Sequence, residues 1–285
     1  MQTSPQQAVD HYLRTGAHDE LSCNWPGSNF LASVEYADAA LRNALISTVR
    51  QRTVHAVVPA ALASVDVIAF TRAKVAPMVR GLFPGHEQKT VLDVLKRSIV
   101  FLTPTTIDAA LRTTPWLYTA WDLANLYLVS CAAQPLSENV RPIVGLSAET
   151  PCFVATDYFN APSRFDDFVV HEAAHVFHNC KRSAIGLSAT PRREWLLDID
   201  FPKRETFAYA CEGYSRILEL GNSPAARRVL LSEIEAGPVP PDDRVESDEY
   251  IDILREAVAS RNGWKRILHR CSAAQGQRRR TIGSQ

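Results

Sequence analysis

Apolar residues recur every three or four positions in the first part of the chain, and this spacing predicts helices. The clearest run places its members on one helix face: Phe30, Val34, Ala37, Leu41, Leu45 and Val49. A second segment, Val54 to Val79, is rich in alanine and valine and carries few charges. It predicts a buried helix or a pair of helices, broken near Pro59 and Pro77 because proline lacks an amide hydrogen.

Three further features extend this helical pattern. Residues 81–88 contain two glycines and a proline, which predict a turn. A helix is expected from Thr90 to about Leu102, and Thr105 or Thr106 can cap the next one. Pro115 then opens an aromatic and aliphatic stretch, WLYTAWDLANLYLVS, whose composition predicts burial on most sides.

Two short segments farther along carry the signals of β-strands. Residues 143–148 and 152–159 are separated by Glu-Thr-Pro, and the second, CFVATDYF, is β-branched and aromatic with partial alternation. Ser163 is followed three residues later by Asp166, which is close to a capping box. A helix is therefore expected to begin just before Phe165.

The C-terminal part contains two more predicted helices. One runs from about Lys203 to Leu220 and the other from Asp248 to Ala259, with a proline-rich break at residues 237–243 between them. The expected fold class is α+β and mostly helical. A helical N-terminal region, 1–140, precedes a region, 141–285, that carries the small sheet, and the two are expected to share one packed body.

Composition excludes several classes of protein. Apolar residues make up 46% of the 285 residues, which is too apolar for a disordered chain. Lysine plus arginine and aspartate plus glutamate both number 31, so the net charge of zero gives no general reason to expect nucleic acid or an anionic membrane as a partner. The six cysteines form no C-x-x-C unit and are expected to be free thiols.

The sequence shows no sign of membrane insertion. No stretch approaches the roughly 18 apolar residues of a spanning helix. The polar start, MQTSPQQAVDHYLRTG, lacks the features of a secretory signal. A cytoplasmic location is therefore expected, with delivery by a signal-independent secretion route as the alternative.

The segment His171-Glu172-Ala173-Ala174-His175 fits the pattern H-E-x-x-H. Histidines four residues apart lie about 40° apart around a helix and one turn apart along it, so both imidazoles can reach one ion. Glu172 lies about 100° round the axis, where it can hydrogen-bond a water held by the metal and take its proton. The motif predicts zinc held by His171 and His175, with Glu172 as general base. The alternative is a helix whose two histidines only pack against neighbouring groups.

Through this motif the sequence resembles the zincin superfamily of zinc metallopeptidases. The resemblance covers Ile143 to Leu220, roughly a quarter of the chain. It implies a small twisted sheet whose edge strand binds substrate in extended form above the helix that carries the motif. The segment Cys152 to Phe159 is the candidate for that edge strand. Asp157 and Tyr158 are the candidate substrate contacts, with packing as the alternative for Tyr158.

A catalytic zinc site needs a third protein ligand and an open fourth position. His178 shares the face of His171 and His175, but three ligands along about 10 Å of straight helix cannot converge on one ion. Zincins with a third histidine place it six residues after the second, beyond a glycine, and this chain departs from that pattern at Cys180 and Lys181. His178 is therefore expected to support another ligand rather than to bind the metal.

The helix predicted after Lys203 carries polar side chains on one face. Glu205, Tyr209, Glu212 and Arg216 are spaced at i, i+4, i+7 and i+11, within an arc of about 60°. An acidic stripe on an otherwise apolar helix suits a buried metal site. The alternative is a solvated face with an ion pair between Glu212 and Arg216.

Next to H-E-x-x-H, this stripe resembles the gluzincins, in which the third zinc ligand is a glutamate on the next helix. The resemblance implies Glu205 as the ligand, with Glu212 as an alternative ligand or as a brace for a histidine. Gluzincins carry an aspartate four residues after the ligand, and Tyr209 stands there in this chain. That difference leaves open which group orients His171.

Together these residues predict a zinc-dependent metallopeptidase, an enzyme that hydrolyses a peptide or protein substrate. Negative charge develops on the scissile carbonyl oxygen during attack, and a hydrogen-bond donor is needed there. Tyr209 is the candidate donor, with Arg216 or His178 as alternatives.

Two other classes of function are open. One is a non-catalytic module in which zinc only staples two helices, or in which no metal is bound. The other is an interaction protein that binds nucleic acid through the basic C-terminus: Lys265, Arg266, Arg270 and Arg278 to Arg280. In a neutral chain this end is expected to be a solvated and partly disordered tail.

Overall fold

The computed structural model describes residues 4–138, 145–147, 150–160, 163–190 and 193–272. The α-helices in these ranges are Pro5–Thr15 (α1), Phe30–Arg52 (α2), Ala60–Ala63 (α3), Val67–Leu82 (α4), Gly85–Leu95 (α5), Ile107–Thr113 (α6), Leu117–Ser130 (α7), Phe168–Asn179 (α8), Arg204–Leu220 (α9), Pro224–Ala236 (α10), Ser247–Ala259 (α11) and Gly263–Cys271 (α12). The strands are Ile99–Phe101 (β1), Gly145–Ser147 (β2) and Cys152–Val154 (β3), in the sheet order β1-β3-β2. The expected class, α+β and mostly helical, is confirmed. In the described ranges no helix is long and apolar enough to cross a membrane.

The chain divides into two compact units. The first takes in the described residues within 1–64, 100–148 and 153–159, and the second those within 65–99, 149–152 and 160–285. This division differs from the expected boundary at residue 140, because α4 packs against α8, α9 and α12 and so belongs with the C-terminal helices.

The first unit is built around α2, α6 and α7. These helices pack against one another, and α1 packs on α2. The apolar face expected on α2 is buried from Ala37 to Val49, whereas Phe30 in the first turn is 63% exposed. The buried hydroxyl of Tyr12 on α1 donates to the carbonyl of Leu117 at 2.7 Å, which ties α1 to the start of α7.

In the second unit, α9 is the central helix, with α4, α8, α10, α11 and α12 packed around it. The break expected near Pro77 is wrong, since α4 runs through this proline. Val75, Met78 and Val79 around it are buried, so tertiary packing offsets the missing backbone hydrogen bond.

The expected turn at residues 81–88 and helix from Thr90 to Leu102 are both partly wrong. Helix α5 already begins at Gly85 and ends at Leu95, and β1 follows. The amide of Cys152 donates to the carbonyl of Ser98, and the amide of Leu102 donates to the carbonyl of Val154. Pairing with a distant segment therefore decides the conformation here, which a local periodicity does not reveal.

The strand expected from Cys152 to Phe159 is wrong beyond Val154. Residues 156–160 form a 3-10 helix, so Asp157 and Tyr158 do not lie on a strand. The ring of Tyr158 packs 6.0 Å from that of Phe101, centroid to centroid, so its aromatic character reflects packing. Strand β3 is the middle strand of the described sheet, so it is not the expected edge strand. Of the other expected strand, residues 143, 144 and 148 lie outside the described residues.

The C-terminal basic segment is partly a packed helix rather than a tail. Trp264 and Ile267 on α12 are buried. Arg266 and Arg270 on the same helix both form ion pairs with Glu256 of α11. Arg278 to Arg280 lie outside the described residues.

Candidate metal centre

Helix α8 places the H-E-x-x-H motif in the interior of the second unit. Its N-cap is Asp167, whose side chain accepts from the amide of Val170 at 3.3 Å. The expected start near Phe165 is therefore wrong by three residues, and the Ser163 hydroxyl instead accepts from the Phe165 amide in a local turn. Every residue from Val169 to His178 is buried.

The segment after α8 folds back onto the end of that helix. The amide of Leu197 donates to the carbonyl of Phe177 at 2.8 Å, and the amide of Leu196 donates to that of Cys180 at 3.0 Å. Arg182 in the same segment is 1% exposed and pairs with buried Glu87. These contacts bring the chain back to α8 before α9 begins.

Three side chains of α8 and α9 bring one ligand atom each to a common point: His171, His175 and Glu205. Nε2 of His171 lies 3.3 Å from Nε2 of His175. Oε2 of Glu205 lies 3.7 Å from the first nitrogen and 3.5 Å from the second. In the described part of the chain this is the one group of three histidine, cysteine or acidic residues that could hold a metal.

The size and chemistry of this triangle suit zinc. Ligand atoms at about 2.0–2.2 Å from a tetrahedral zinc ion are about 3.3–3.6 Å apart, close to the distances seen here. Two imidazoles and one carboxylate form a donor set used by catalytic zinc. A structural zinc site needs four protein ligands, and among the described residues no fourth ligand atom joins the group.

Glu212 orients His171 from the side away from the triangle. Its Oε2 lies 3.1 Å from Nδ1 of His171, and its Oε1 accepts from the amide of Asp167 at 2.6 Å. With a proton on Nδ1, the Nε2 lone pair of His171 faces His175 and Glu205. The sequence left open which group orients His171, and in the structure Glu212 occupies that place.

Replacing Glu212 with glutamine is expected to weaken zinc binding about 10- to 100-fold, because a neutral amide holds the imidazole less firmly and makes it less basic. Competition with a chromophoric chelator measures the dissociation constant. Glu233→Gln, which changes an exposed carboxylate of α10 that pairs with Arg164, is the matched control and should bind zinc as the wild type does. Equal affinity in both variants would show that Glu212 does not support the site.

His178 supports the second histidine. Its Nε2 lies 3.3 Å from Nδ1 of His175, so with a proton on Nδ1 the Nε2 of His175 is left for the metal. Burial, followed by the charge of His175, lowers the pKa of His178 to about 2, so its ring is neutral. A neutral His178 can accept the proton of Nδ1 of His175.

A pH-dependent loss of stability follows from His178. The unfolded residue binds a proton below pH about 6.5, whereas the folded one stays neutral until pH about 2, so acid favours unfolding. Relative to His178→Gln, the metal-free wild type should lose about 1.4 kcal/mol of unfolding free energy per pH unit between about pH 6.5 and 4.5. Urea unfolding at several pH values measures the difference. Parallel curves for the two proteins would contradict this role.

The charges at the site favour a cation. Burial alone would raise the pKa of Glu205, but the nearby imidazoles of His171 and His175 hold it well below its usual range. Burial alone would lower the pKa of His171, but the nearby carboxylates of Glu205 and Glu212 raise it to about 10. The carboxylates thus hold a proton on His171, and a metal ion that bound there would have to displace it.

Glu172 follows His171 on α8 and has an unused side-chain oxygen. The residue is 4% exposed, and its Oε2 has no hydrogen-bond partner among the described residues. Burial raises the pKa of this carboxyl group. A buried carboxylate oxygen without a hydrogen-bond partner lowers the stability of the folded protein. Such an oxygen is typical of a group that accepts a proton from a bound water or substrate.

The other residues expected at the site differ in whether they lie near His171. The Tyr209 ring packs edge-on against His171, with centroids 4.4 Å apart. Arg216 donates to the carbonyl of Arg164 and pairs with Glu219, so the alternative ion pair with Glu212 is wrong. Asp157 and Tyr158 belong to the first unit.

A buried ion pair at the start of α8 was not predicted from the sequence. Nζ of Lys74 on α4 lies 2.9 Å from Oδ2 of Asp167, whose side chain is fully buried. Lys74 also pairs with Glu219 of α9 at 2.9 Å. Because the Asp167 amide holds Glu212, this lysine helps to fix α4, α8 and α9 around His171. An aspartate directly before the apolar FVV was the signal for the cap, whereas nothing local indicated Lys74.

Lys74→Met is expected to destabilise the protein by about 3 kcal/mol, because it leaves the buried Asp167 without its cation. Urea unfolding gives the difference. Lys96→Met, which removes a partly exposed pair with Asp93 within one helical turn, should cost less than about 1 kcal/mol. Similar small losses in both variants would contradict a buried pair of this kind.

Comparisons with protein-family models, curated proteins and solved structures find no match to this chain. The resemblance to zincins thus depends on the H-E-x-x-H motif and, for the gluzincins, on the acidic stripe that carries Glu205 and Glu212. The function is inferred from the side chains of the site.

Proposed function

We propose that this protein is a zinc-dependent peptidase of the gluzincin type. The observation that supports it best is the convergence of His171, His175 and Glu205 beside Glu172, a buried carboxylate with an unpaired oxygen. Such a donor set, with a glutamate next to the first histidine, suits metal-assisted hydrolysis of a peptide bond.

A zinc ion held by these residues would act as a Lewis acid and lower the pKa of water towards about 7. Glu172 would take the proton of the attacking water at Oε2 and pass it to the nitrogen of the leaving amine. Burial raises the pKa of Glu172, which makes the carboxylate a better proton acceptor. Glu212 and His178 would keep the two imidazoles in place during these transfers.

We assign Tyr209 as the donor to the oxyanion of the transition state. Its ring packs edge-on against that of His171, with the centroids 4.4 Å apart. Burial, followed by the charge of Glu212, raises the pKa of Tyr209 well above its usual range. The hydroxyl therefore keeps its proton at neutral pH and can donate to a developing negative charge.

The two competing classes receive less support. A structural zinc site that only joins two helices would need a fourth protein ligand. Among the described residues, the group of His171, His175 and Glu205 has none. For nucleic-acid binding through the C-terminus, Arg266 and Arg270 are already paired with Glu256. A peptide or protein substrate is the partner that the proposed chemistry requires.

Incubation with an unfolded protein and with a mixed peptide library tests the proposal. New amino termini, detected by mass spectrometry, should form with the zinc-loaded protein, disappear after chelation and return when zinc is added. His175→Ala should produce none under any of these conditions. A wild-type protein that holds zinc but generates no new termini would contradict the peptidase proposal.

A further inference from the structure

The two oxygens of the Glu205 carboxylate have different neighbours. Oε2 faces the Nε2 atoms of His171 and His175. Oε1 lies 3.2 Å from Nη2 of Arg244, in the connection between α10 and α11. One oxygen is therefore directed at the metal position, and the other is held by a guanidinium group.

Arg244 is itself held in place by Asp242. Oδ1 of Asp242 accepts from both Nε and the backbone amide of Arg244, at 2.9 Å each. Oδ2 accepts from Nη2. This bidentate pairing fixes the plane of the guanidinium group, whereas a single hydrogen bond would not. The Arg244 side chain is 66% exposed, so apolar burial does not explain its position.

We propose that Arg244 is a positioning residue that keeps Glu205 a one-oxygen ligand. A carboxylate with both oxygens unoccupied can bind a metal ion through both and fill a further coordination position. The guanidinium group opposes this, because turning Oε1 towards the metal would move it away from the positive charge 3.2 Å away. A metal ion held by these three residues would then keep a position for water or substrate, as catalytic zinc sites require.

This inference rests on the metal site of the proposed function, and it adds a role for a residue outside the H-E-x-x-H motif and the acidic stripe. It also explains why a short connection carries Asp242 and Arg244 next to the half-buried Glu205. Asp242 offsets the charge of the guanidinium group, so the pair directs the carboxylate without placing a net positive charge beside the metal position.

Cobalt substitution gives the sharpest test, because the visible absorption of Co²⁺ depends on its coordination number and geometry. The full chain is loaded with one Co²⁺, and absorbance per bound ion is compared between wild type and Arg244→Ala. We expect Arg244→Ala to absorb less, by about twofold or more, as Glu205 binds through both oxygens. Arg244→Lys retains a positive charge but not the planar guanidinium group. Its absorbance per bound ion should lie between those of the wild type and Arg244→Ala.

Arg255→Ala is the matched control. Arg255 is also exposed and paired with two carboxylates, those of Glu235 and Asp252, but it does not contact the triangle. Its cobalt spectrum should match that of the wild type, and circular dichroism should show that every variant is folded.

The outcomes separate this inference from the proposed function. A wild-type protein that binds no Co²⁺ would overturn both. A wild type with one Co²⁺ and an Arg244→Ala variant with the same spectrum would overturn only the role of Arg244. Loss of Co²⁺ from Arg244→Ala would also overturn the proposed role of Arg244. The residue would then be needed to keep Glu205 within bonding distance of the metal, and not to limit its binding to one oxygen.

Discussion

Glu172→Gln is expected to lower the turnover number for peptide hydrolysis by about 10²- to 10⁴-fold, the usual contribution of a positioned general base. Glutamine has nearly the same shape as glutamate but cannot accept a proton from water. Because Glu172 is not among the three ligand residues, its replacement should leave the metal in place. The change should also not lower stability, since it removes a buried carboxylate whose Oε2 has no partner.

Two measurements on the same preparation check this expectation. Single-turnover cleavage of a peptide found in the substrate screen gives the rate, and elemental analysis gives zinc per chain. Glu194→Gln, an exposed carboxylate paired with Lys181, serves as the control and should keep full activity. Unchanged turnover in Glu172→Gln would rule out its role as base, and loss of zinc would instead make it a ligand.

The part of the site that follows from local spacing could be predicted from the sequence. Four residues separate His171 from His175, and on any helix this directs both imidazoles to one side. The polar stripe of Glu205 and Glu212 followed from the same periodicity. Which of the two glutamates faces both imidazoles and which lies behind His171 could not be predicted, because this depends on how α9 packs against α8. In the structure Glu205 faces both imidazoles, and Glu212 lies behind His171.

Errors in the fold arose where a distant contact outweighs a local signal. Pro77 predicted a break, but burial of its neighbours keeps α4 continuous. Ile99 lies in a sequence with helical character, yet it begins a strand because residues 152–154 pair with that segment. The aromatic pair Tyr158 and Phe159 indicated a strand, but both rings pack on Phe101.

Residues that support the ligands were the hardest to foresee. Lys74 lies far from Asp167 in sequence, and Arg244 lies far from Glu205, so no spacing rule connects either pair. Each contact exists because separate elements of the second unit meet at the same place. The Asp242 and Arg244 pair also lies in a segment whose prolines and glycine indicated only a break between helices.

Loss of the metal from His175→Ala is the second large effect expected. His175 supplies one of three ligand atoms, and alanine leaves two, so zinc affinity should fall by more than the about 100-fold typical of changes in supporting residues. Hydrolysis should be lost with it. The fold should persist, because α8 keeps its cap at Asp167 and its buried apolar residues.

Elemental analysis of the purified wild type and His175→Ala, after equal exposure to zinc and removal of excess metal, is the most direct test. This measurement shows directly whether side chains of two helices together bind a divalent ion. We predict about one zinc per wild-type chain and essentially none in the variant. A wild type without zinc, or a variant that retains it in full, would contradict a metal centre at His171, His175 and Glu205.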